Sequence, residues 1–472
     1  MNRKKMAFGV IVGTRGFFSP KLAAAGRTDI MAVLKKKGID AVILETTDTP
    51  TGVVEGYPDG EKCAALFRKN RDIIDGIVVI LPNFGDEIGV VNSIQSADLK
   101  VPVLVQASND QNDKVDVLHR RDAFCGKISV CNNLYQYGIP FTNTSTHTSD
   151  IKSDEFSADL DRFAGVCRVV KGVRGARIGA IGARPAAFQT VRFSEKIMQK
   201  SGITVVPVDL SEIIAAAVDL GEDDKGVKAK IEKIYGYGTV PDRIKGSDVM
   251  KQAKLSVVID RFVEENKLDA TAIQCWDSIQ SNYGCATCLS MSMMGEIGCP
   301  SACEMDVAGA LSMLILRLAA EEAPGFLDWN NNFDYDRDIC VCTHCSNYPA
   351  SFMGNPIEIS QLDILGETLG REKCFGAIKG KVAPGEMTYF RVSSDDPKGV
   401  LKAYAGEGEF VNEPYGMDGG IAVCKVPGLN DVMEHICRNG FEHHVSMVRG
   451  SVLSIVEEAL VRYLNWDFSS FK

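Results

Sequence analysis

Residues 7–45 read AFGVIVGTRGFFSPKLAAAGRTDIMAVLKKKGIDAVILE, and their pattern sets the fold class. "AFGVIVG" (7–13) is a short apolar run, "DIMAVLKKKG" (29–38) has helical spacing with a glycine stop, and "DAVILE" (40–45) is strand-like again. Working outward, "EKCAALFRKNRD" (61–72), "GIVVILP" (76–82) and "VPVLVQA" (101–107) continue the alternation. Short β-rich runs separated by amphipathic helices imply a parallel sheet covered on both faces. A second such unit begins near Gly172, with "ARIGAIGARP" (176–185), "ITVVPVDLSE" (203–212), "DATAIQCW" (269–276), "SACEMD" (301–306) and the apolar helix "VAGALSMLILRLAAE" (307–321). After Pro349 the segment 374–410 carries short strands, many glycines and turn signals without intervening helices, which implies a smaller antiparallel β-rich domain. The expected division is 1–171, 172–350 and 351–472: two parallel-sheet α/β domains, then a β-rich C-terminal domain.

The chain has 472 residues, 45% hydrophobic and 24% charged, with a net charge of −10, the balance of a packed multidomain protein. No basic field recruits nucleic acid or an anionic membrane. The N-terminal apolar run is broken by Gly9, Gly13 and Arg15, so it reads as a first strand, and no stretch is long enough to span a bilayer. Fifteen irregularly spaced cysteines suit a reducing compartment. The expectation is a cytoplasmic protein.

"ARIGAIGARP" spaces Gly179 and Gly182 as G-x-x-G, with Pro185 where a phosphate-binding helix would run, so it reads as a strand-to-helix turn rather than a dinucleotide site. Cys285 with Cys288, Cys299 with Cys303, and Cys340, Cys342 and Cys345 invite a metal-cluster reading, but cysteine is among the most buried residue types, and packed thiols explain them. "SACEMDVAGAL" is more informative. Read as a strand running into a helix, it turns Glu304 and Asp306 toward one cleft, because residues i and i+2 of a strand share a face. A helix cap accounts for one of the two acids, not for both. "CVCTHCSNYP" adds His344, and "GFEHHVSM" (440–447) places two of the chain's six histidines, His443 and His444, side by side. Carboxylates and imidazoles together suit Mn²⁺, Co²⁺ or Fe²⁺.

These strings carry a resemblance. "RRDAFCGKISVCNNLYQYGI" (120–139), "GARPAAFQTVRFSEK" (182–196), "GCPSACEMDVAGAL" (298–311), "HCSNYP" (344–349) and "NGFEHHVSM" (439–447) are similar to the L-fucose isomerase and L-arabinose isomerase superfamily, in its shorter fucose-isomerase-like branch. The resemblance implies a cytoplasmic, metal-dependent aldose–ketose isomerase, commonly a homohexamer, using Mn²⁺ or Co²⁺ and an ene-diol proton transfer between C1 and C2. By motif position Asp306 and His444 are implied metal ligands, joined by Glu304 and His344, with Glu304 and Asp306 as the proton-transfer carboxylates. Cys275 stands where the larger isomerases carry a second essential glutamate, which leaves one proton-transfer group unassigned. Trp276, His443, Arg15, Arg121 and Arg184 are candidate sugar-binding side chains. Such arginines make a sulfonated or phosphorylated sugar, such as sulfoquinovose, an alternative to a neutral aldose. A non-catalytic sugar-binding protein is a second alternative, which chelator-sensitive interconversion of aldose and ketose would dismiss. In the histidine pair, alternation along a strand assigns His444 to the metal, His443 to the sugar or to packing, and Glu442 to orienting the His444 ring.

Overall fold

The computed structural model describes residues 5–344, 346–417 and 419–472, so Cys345 of the cysteine group lies outside the described residues. The chain forms two compact units, one running to Lys171 with Glu458–Asn465 added, the other comprising Gly172–Glu457 and Trp466–Lys472. The first unit is built on five parallel strands, Ala7–Val12 (β1), Asp40–Val42 (β2), Gly76–Leu81 (β3), Val103–Ala107 (β4) and Thr142–Asn143 (β5), in the order β2-β1-β3-β4-β5. Every residue of β1, β3 and β4 is buried, because separate apolar clusters cover the two faces of the sheet. Each fully buried Val or Ile contributes about 1.5–3 kcal/mol. That coverage is what the continuous apolar runs in the sequence imply.

In the second unit Arg177–Ile181 (β6), Thr204–Val208 (β7), Ala270–Ile273 (β8) and Ser301–Ala302 (β9) form a parallel sheet in the order β7-β6-β8-β9. A nine-stranded, mostly antiparallel sheet follows, from Gly325–Asn332 (β10), Ile339–His344 (β11), Glu358–Gln361 (β12), Phe375–Lys381 (β13), Gly385–Asp395 (β14), Val400–Phe410 (β15), Gly420–Lys425 (β16), His444–Arg449 (β17) and Asp467–Phe471 (β18). Its order is β12-β13-β16-β11-β10-β17-β14-β15-β18. A further pairing of β15 with β16 closes six of these strands into a ring. The strands β10 and β11, which the sequence division assigns to the central domain, pair into this C-terminal sheet, since β11 bonds to β16 along its whole length.

The helix Val307–Ala320 joins the two sheets of this unit, packing on β8 and β9 and also on β14 and β17. It is apolar nearly all round because neighbours surround it on both sides. Its N-terminus carries the end of β9 to the start of β17, and there the candidate site lies.

Candidate functional site

The strand expected at 301–306 ends early. It stops at Ala302, and Glu304 (φ 61°) and Met305 (φ 56°) turn the chain through two successive left-handed residues. The face-sharing rule for i and i+2 therefore does not hold here, and the two acids part company. Glu304 lines a cavity, whereas Asp306 turns into the protein to cap the helix Val307–Ala320, with Oδ1 accepting from Gly309 N at 2.8 Å.

Asp306 has no oxygen left for a metal. Oδ1 also accepts from Arg391 Nη2 at 3.1 Å, while Oδ2 accepts from Arg391 Nη1 at 2.6 Å and from His444 Nδ1 at 2.8 Å. Four bonds fill the acceptor sites of a carboxylate. Arg391, on β14, is fully buried and also donates to Glu442 Oε2 at 3.1 Å, and Glu442 Oε1 accepts from Ser393 at 2.9 Å. Glu442 thus holds the arginine, and orienting the His444 ring falls to Asp306 instead. Burial opposes the charge on Asp306, but the guanidinium and the His444 bond outweigh it and hold the carboxyl well below the usual range.

With Nδ1–H of His444 pointing at Asp306, Nε2 presents its lone pair on the other side of the ring. Three further donor atoms meet it: Glu304 Oε2 at 3.2 Å, His344 Nε2 at 3.4 Å and Asp328 Oδ1 at 3.5 Å. His344 Nε2 is itself 4.0 Å from Glu304 Oε1 and 3.7 Å from Asp328 Oδ1. Ligand atoms about 2.0–2.2 Å from one ion stand about 3–3.5 Å from one another, so the spacing suits a single divalent cation. Glu304 Oε2 and Asp328 Oδ1 are buried, and with a neutral His444 no donor reaches either. Lone pairs converging in this way repel unless a cation, or a proton on the ring, lies between them. In its absence the carboxylates load the ring with a proton: burial depresses the His444 pKa, but the Asp306 and Glu304 bonds and the Asp328 charge overcome this and push it up to about 9.

The sheet explains why these residues meet. In the order β11-β10-β17, Asp328 of β10 is opposite Thr343 on one side and His444 on the other. Phe326, two residues before Asp328, packs against both imidazoles at ring-centre distances of 5.4 and 4.9 Å. Asp328 is absent from the sequence-based candidates. Its signal is an acid set inside an apolar strand, "GFLDW", yet only the pairing of β10 with β17 gives that acid a histidine for a neighbour.

The remaining candidates divide. His443 lines the cavity with its Nε2 3.8 Å from Asp328 Oδ1, and burial, followed by the neighbouring His444, lowers its pKa. Trp276 lines the same cavity, edge-on to Phe188 at 5.4 Å. The cavity holds about 280 Å³, a volume on the scale of a monosaccharide. Arg184 lies at an adjoining cavity. Arg15 and Arg121 belong to the first unit, where Arg15 pairs with Glu87 over the Phe84 ring and Arg121 donates to Pro82 O at 2.7 Å. Cys275 is buried at the end of β8 and does not line the cavity.

Residues 9–174 match the family model of the fucose/sulfoquinovose isomerase N-terminal domain, and residues 342–472 match that of the L-fucose isomerase C-terminal domain. The chain is 26% identical over 465 residues to sulfoquinovose isomerases of Priestia aryabhattai and Priestia megaterium, covering 96% of each chain. It is 28% identical over 308 residues to the sulfoquinovose isomerase of Alkalicoccus urumqiensis, covering 64% of this chain and 67% of that one. With the two family models together matching more than half of its length and the Priestia relatives aligned nearly end to end, the chain belongs to the fucose isomerase-like family of sugar isomerases.

Proposed function

We propose that the chain is a divalent-metal aldose–ketose isomerase of a monosaccharide, with Glu304, Asp328, His344 and His444 as the metal-holding residues. The observation that carries this reading is the meeting of Glu304, His344 and Asp328, each within 3.2–3.5 Å of His444 Nε2, beside a sugar-sized cavity. A cation bound there would stabilise the negative charge that develops on the sugar oxygens when a proton leaves C2, worth several kcal/mol.

The chain's own groups do the rest. Glu304 and Asp328 are the cavity-lining carboxylates that lie beside His444 Nε2, and together they carry the proton from C2 to C1. Asp328 thereby fills the place left open by Cys275. A positioned carboxylate of this kind contributes roughly 10²–10⁴-fold. Asp306 keeps Nδ1 of His444 protonated and Nε2 open, the role that a carboxylate partner plays for a metal-bound imidazole. Trp276 and Phe188 offer apolar walls to the C–H faces of the sugar, and His443 offers a polar ring edge.

Mixed oxygen and nitrogen donors support Mn²⁺, with Co²⁺ as a substitute. The family resemblance supports a homohexamer. No helix among the described residues is long and apolar enough to cross a membrane, and the fourteen described cysteines are free, which supports a cytoplasmic setting. The test is a panel of neutral and anionic aldoses incubated with the Mn²⁺-loaded protein and followed by NMR. Formation of a ketose, lost on chelation and restored by Mn²⁺, is the expected result; metal binding without turnover of any sugar would refute the isomerase reading.

A further inference from the structure

The strands closed into a ring by the β15–β16 pairing run β16-β11-β10-β17-β14-β15, so β16 and β17 stand on opposite sides of it. Cys424 of β16 and Met447 of β17 nevertheless touch, sulfur to sulfur, at 3.9 Å. Side chains of opposite strands meet only across the interior, so this contact marks the middle of the ring. On β11, Cys340 is level with Cys424, and Cys342 follows two residues on along the same face. The Cys340 and Cys342 sulfurs are 3.8 Å apart. Three thiols and one thioether are thus gathered inside one barrel, with Cys342, Cys424 and Met447 fully buried and Cys340 nearly so.

Burial accounts for thiols that stand singly in a core, such as Cys63 and Cys167 of the first unit. It gives no reason to set four sulfurs in one place. The rest of this core cluster is largely aliphatic and aromatic, with Leu327, Tyr389 and Val445 around the sulfurs. Sulfur ligands about 2.3 Å from a four-coordinate ion lie about 3.8 Å from one another. The Cys340–Cys342 and Cys424–Met447 separations have that length and share no atom, so they match two opposite edges of such a site. Close contact alone gives a similar length, and the donor chemistry narrows the reading.

Cys342 and Cys424 both donate to Cys340, and these bonds outweigh burial and hold its thiol below the ordinary value. Among the described residues no lysine, arginine or histidine is one of the groups that stabilise this sulfur. A thiolate in an apolar core needs a counter-ion, and a cation among the sulfurs would supply it. Thiolate and thioether together are a soft donor set. Mg²⁺ and Mn²⁺ prefer oxygen, structural zinc takes thiolate and imidazole, and a thioether partner selects Cu(I).

We propose that the interior of the six-stranded ring is a site for a soft monovalent cation, Cu(I), held by Cys340, Cys342, Cys424 and Met447. Its ligand chemistry sets it apart from the cluster of Glu304, Asp328, His344 and His444, and it does not depend on the isomerase reading. Entry of the ion exchanges S–H for S–Cu. The thiol proton goes to solvent, and neither sulfur nor copper changes oxidation state.

The test starts from the full chain carrying Cys125→Ser and Cys437→Ser, which removes the two thiols exposed among the described residues. Cu(I), kept reduced by ascorbate without oxygen, is added in the presence of Mn²⁺. Loosely held copper is withdrawn with bathocuproine disulfonate, the retained copper is counted, and X-ray absorption identifies its neighbours. The expected result is one copper per chain with three or four sulfurs at about 2.3 Å, and no loss of bound Mn²⁺. That copper should be lost from Cys340→Ser and from Cys424→Ser, and held more weakly by Met447→Leu, which keeps the volume and removes the thioether. Circular dichroism checks that each variant folds, with Cys342→Ala replacing either serine variant that does not. No retained copper, copper bound through nitrogen in competition with Mn²⁺, or equal retention by the cysteine variants overturns the proposal.

Discussion

Replacing Asp306 with Asn separates two roles that the side chain performs at once. Asn keeps the shape and the acceptor for Gly309 N, and as a cap it ranks with Asp, so the helix Val307–Ala320 should lose almost nothing. The other face of the residue changes sharply. An amide nitrogen at the Oδ2 position would meet two donors, Arg391 Nη1 and His444 Nδ1–H, at distances set for acceptance. Arg391 is left fully buried with Glu442 as its remaining anion, and removing one partner of a buried pair costs about 3–5 kcal/mol. The retained Glu442 should hold the loss near the low end, about 3 kcal/mol. The ring also loses its reason to carry hydrogen on Nδ1. Hydrogen moved to Nε2 blocks the donor atom that faces Glu304, Asp328 and His344, so metal affinity should fall at the upper end of the usual 10–100-fold for such partners. Chemical denaturation of metal-free protein measures the first loss, and Mn²⁺ titration measures the second. A variant with wild-type metal affinity and wild-type stability would refute the whole chain of reasoning and leave Asp306 as a cap.

Glu304→Gln and Asp328→Asn should each lower kcat by roughly 10²–10⁴-fold, read in a coupled or NMR assay of ketose formation. Equal activity of Asp328→Asn and wild type would remove it from the site. His444→Ala should abolish Mn²⁺ binding, while His443→Ala should raise the sugar KM and keep the metal; titration of both variants decides the division. For acidity, the raised pKa of His444, about 9, means that its protonated form stabilises the metal-free fold fully below the unfolded value near 6.5. That contribution is lost as pH rises through about 9. Metal must displace this proton, so calorimetry in buffers of differing ionisation heat should show proton release at neutral pH, and apparent affinity rising with pH up to about 9.

The alternation over 7–45 reads correctly as parallel α/β structure because β1 is covered on both faces and has no polar phase to confuse it. The β-rich character after Pro349 was legible from glycines and turn signals, but the recruitment of β10 and β11 into that sheet was not, since it depends on pairing with β16 and β17 across some 80 to 120 residues. The same range limit hides part of the site. Glu304, His344 and His444 stand out as polar residues in unusual strings, whereas Asp328 and Arg391 become meaningful only once the register brings His444 beside Asp328 and Arg391 beneath Asp306. Asp306 was visible for the right reason, its company, yet its direction was set by a backbone turn that no side-chain pattern announces.

That turn has a consequence for engineering. Left-handed backbone costs an ordinary residue about 1–2 kcal/mol, and two in sequence, Glu304 and Met305, form a local deposit of strain in the wall of the cavity. Glycine at 305 would release part of it, so Met305→Gly belongs among the substitutions that make the protein harder to melt. It would also let the loop wander, and Glu304 with it. Thermal robustness and aim are in competition at one peptide link, and a screen for heat resistance alone would be drawn to the wrong side of that trade.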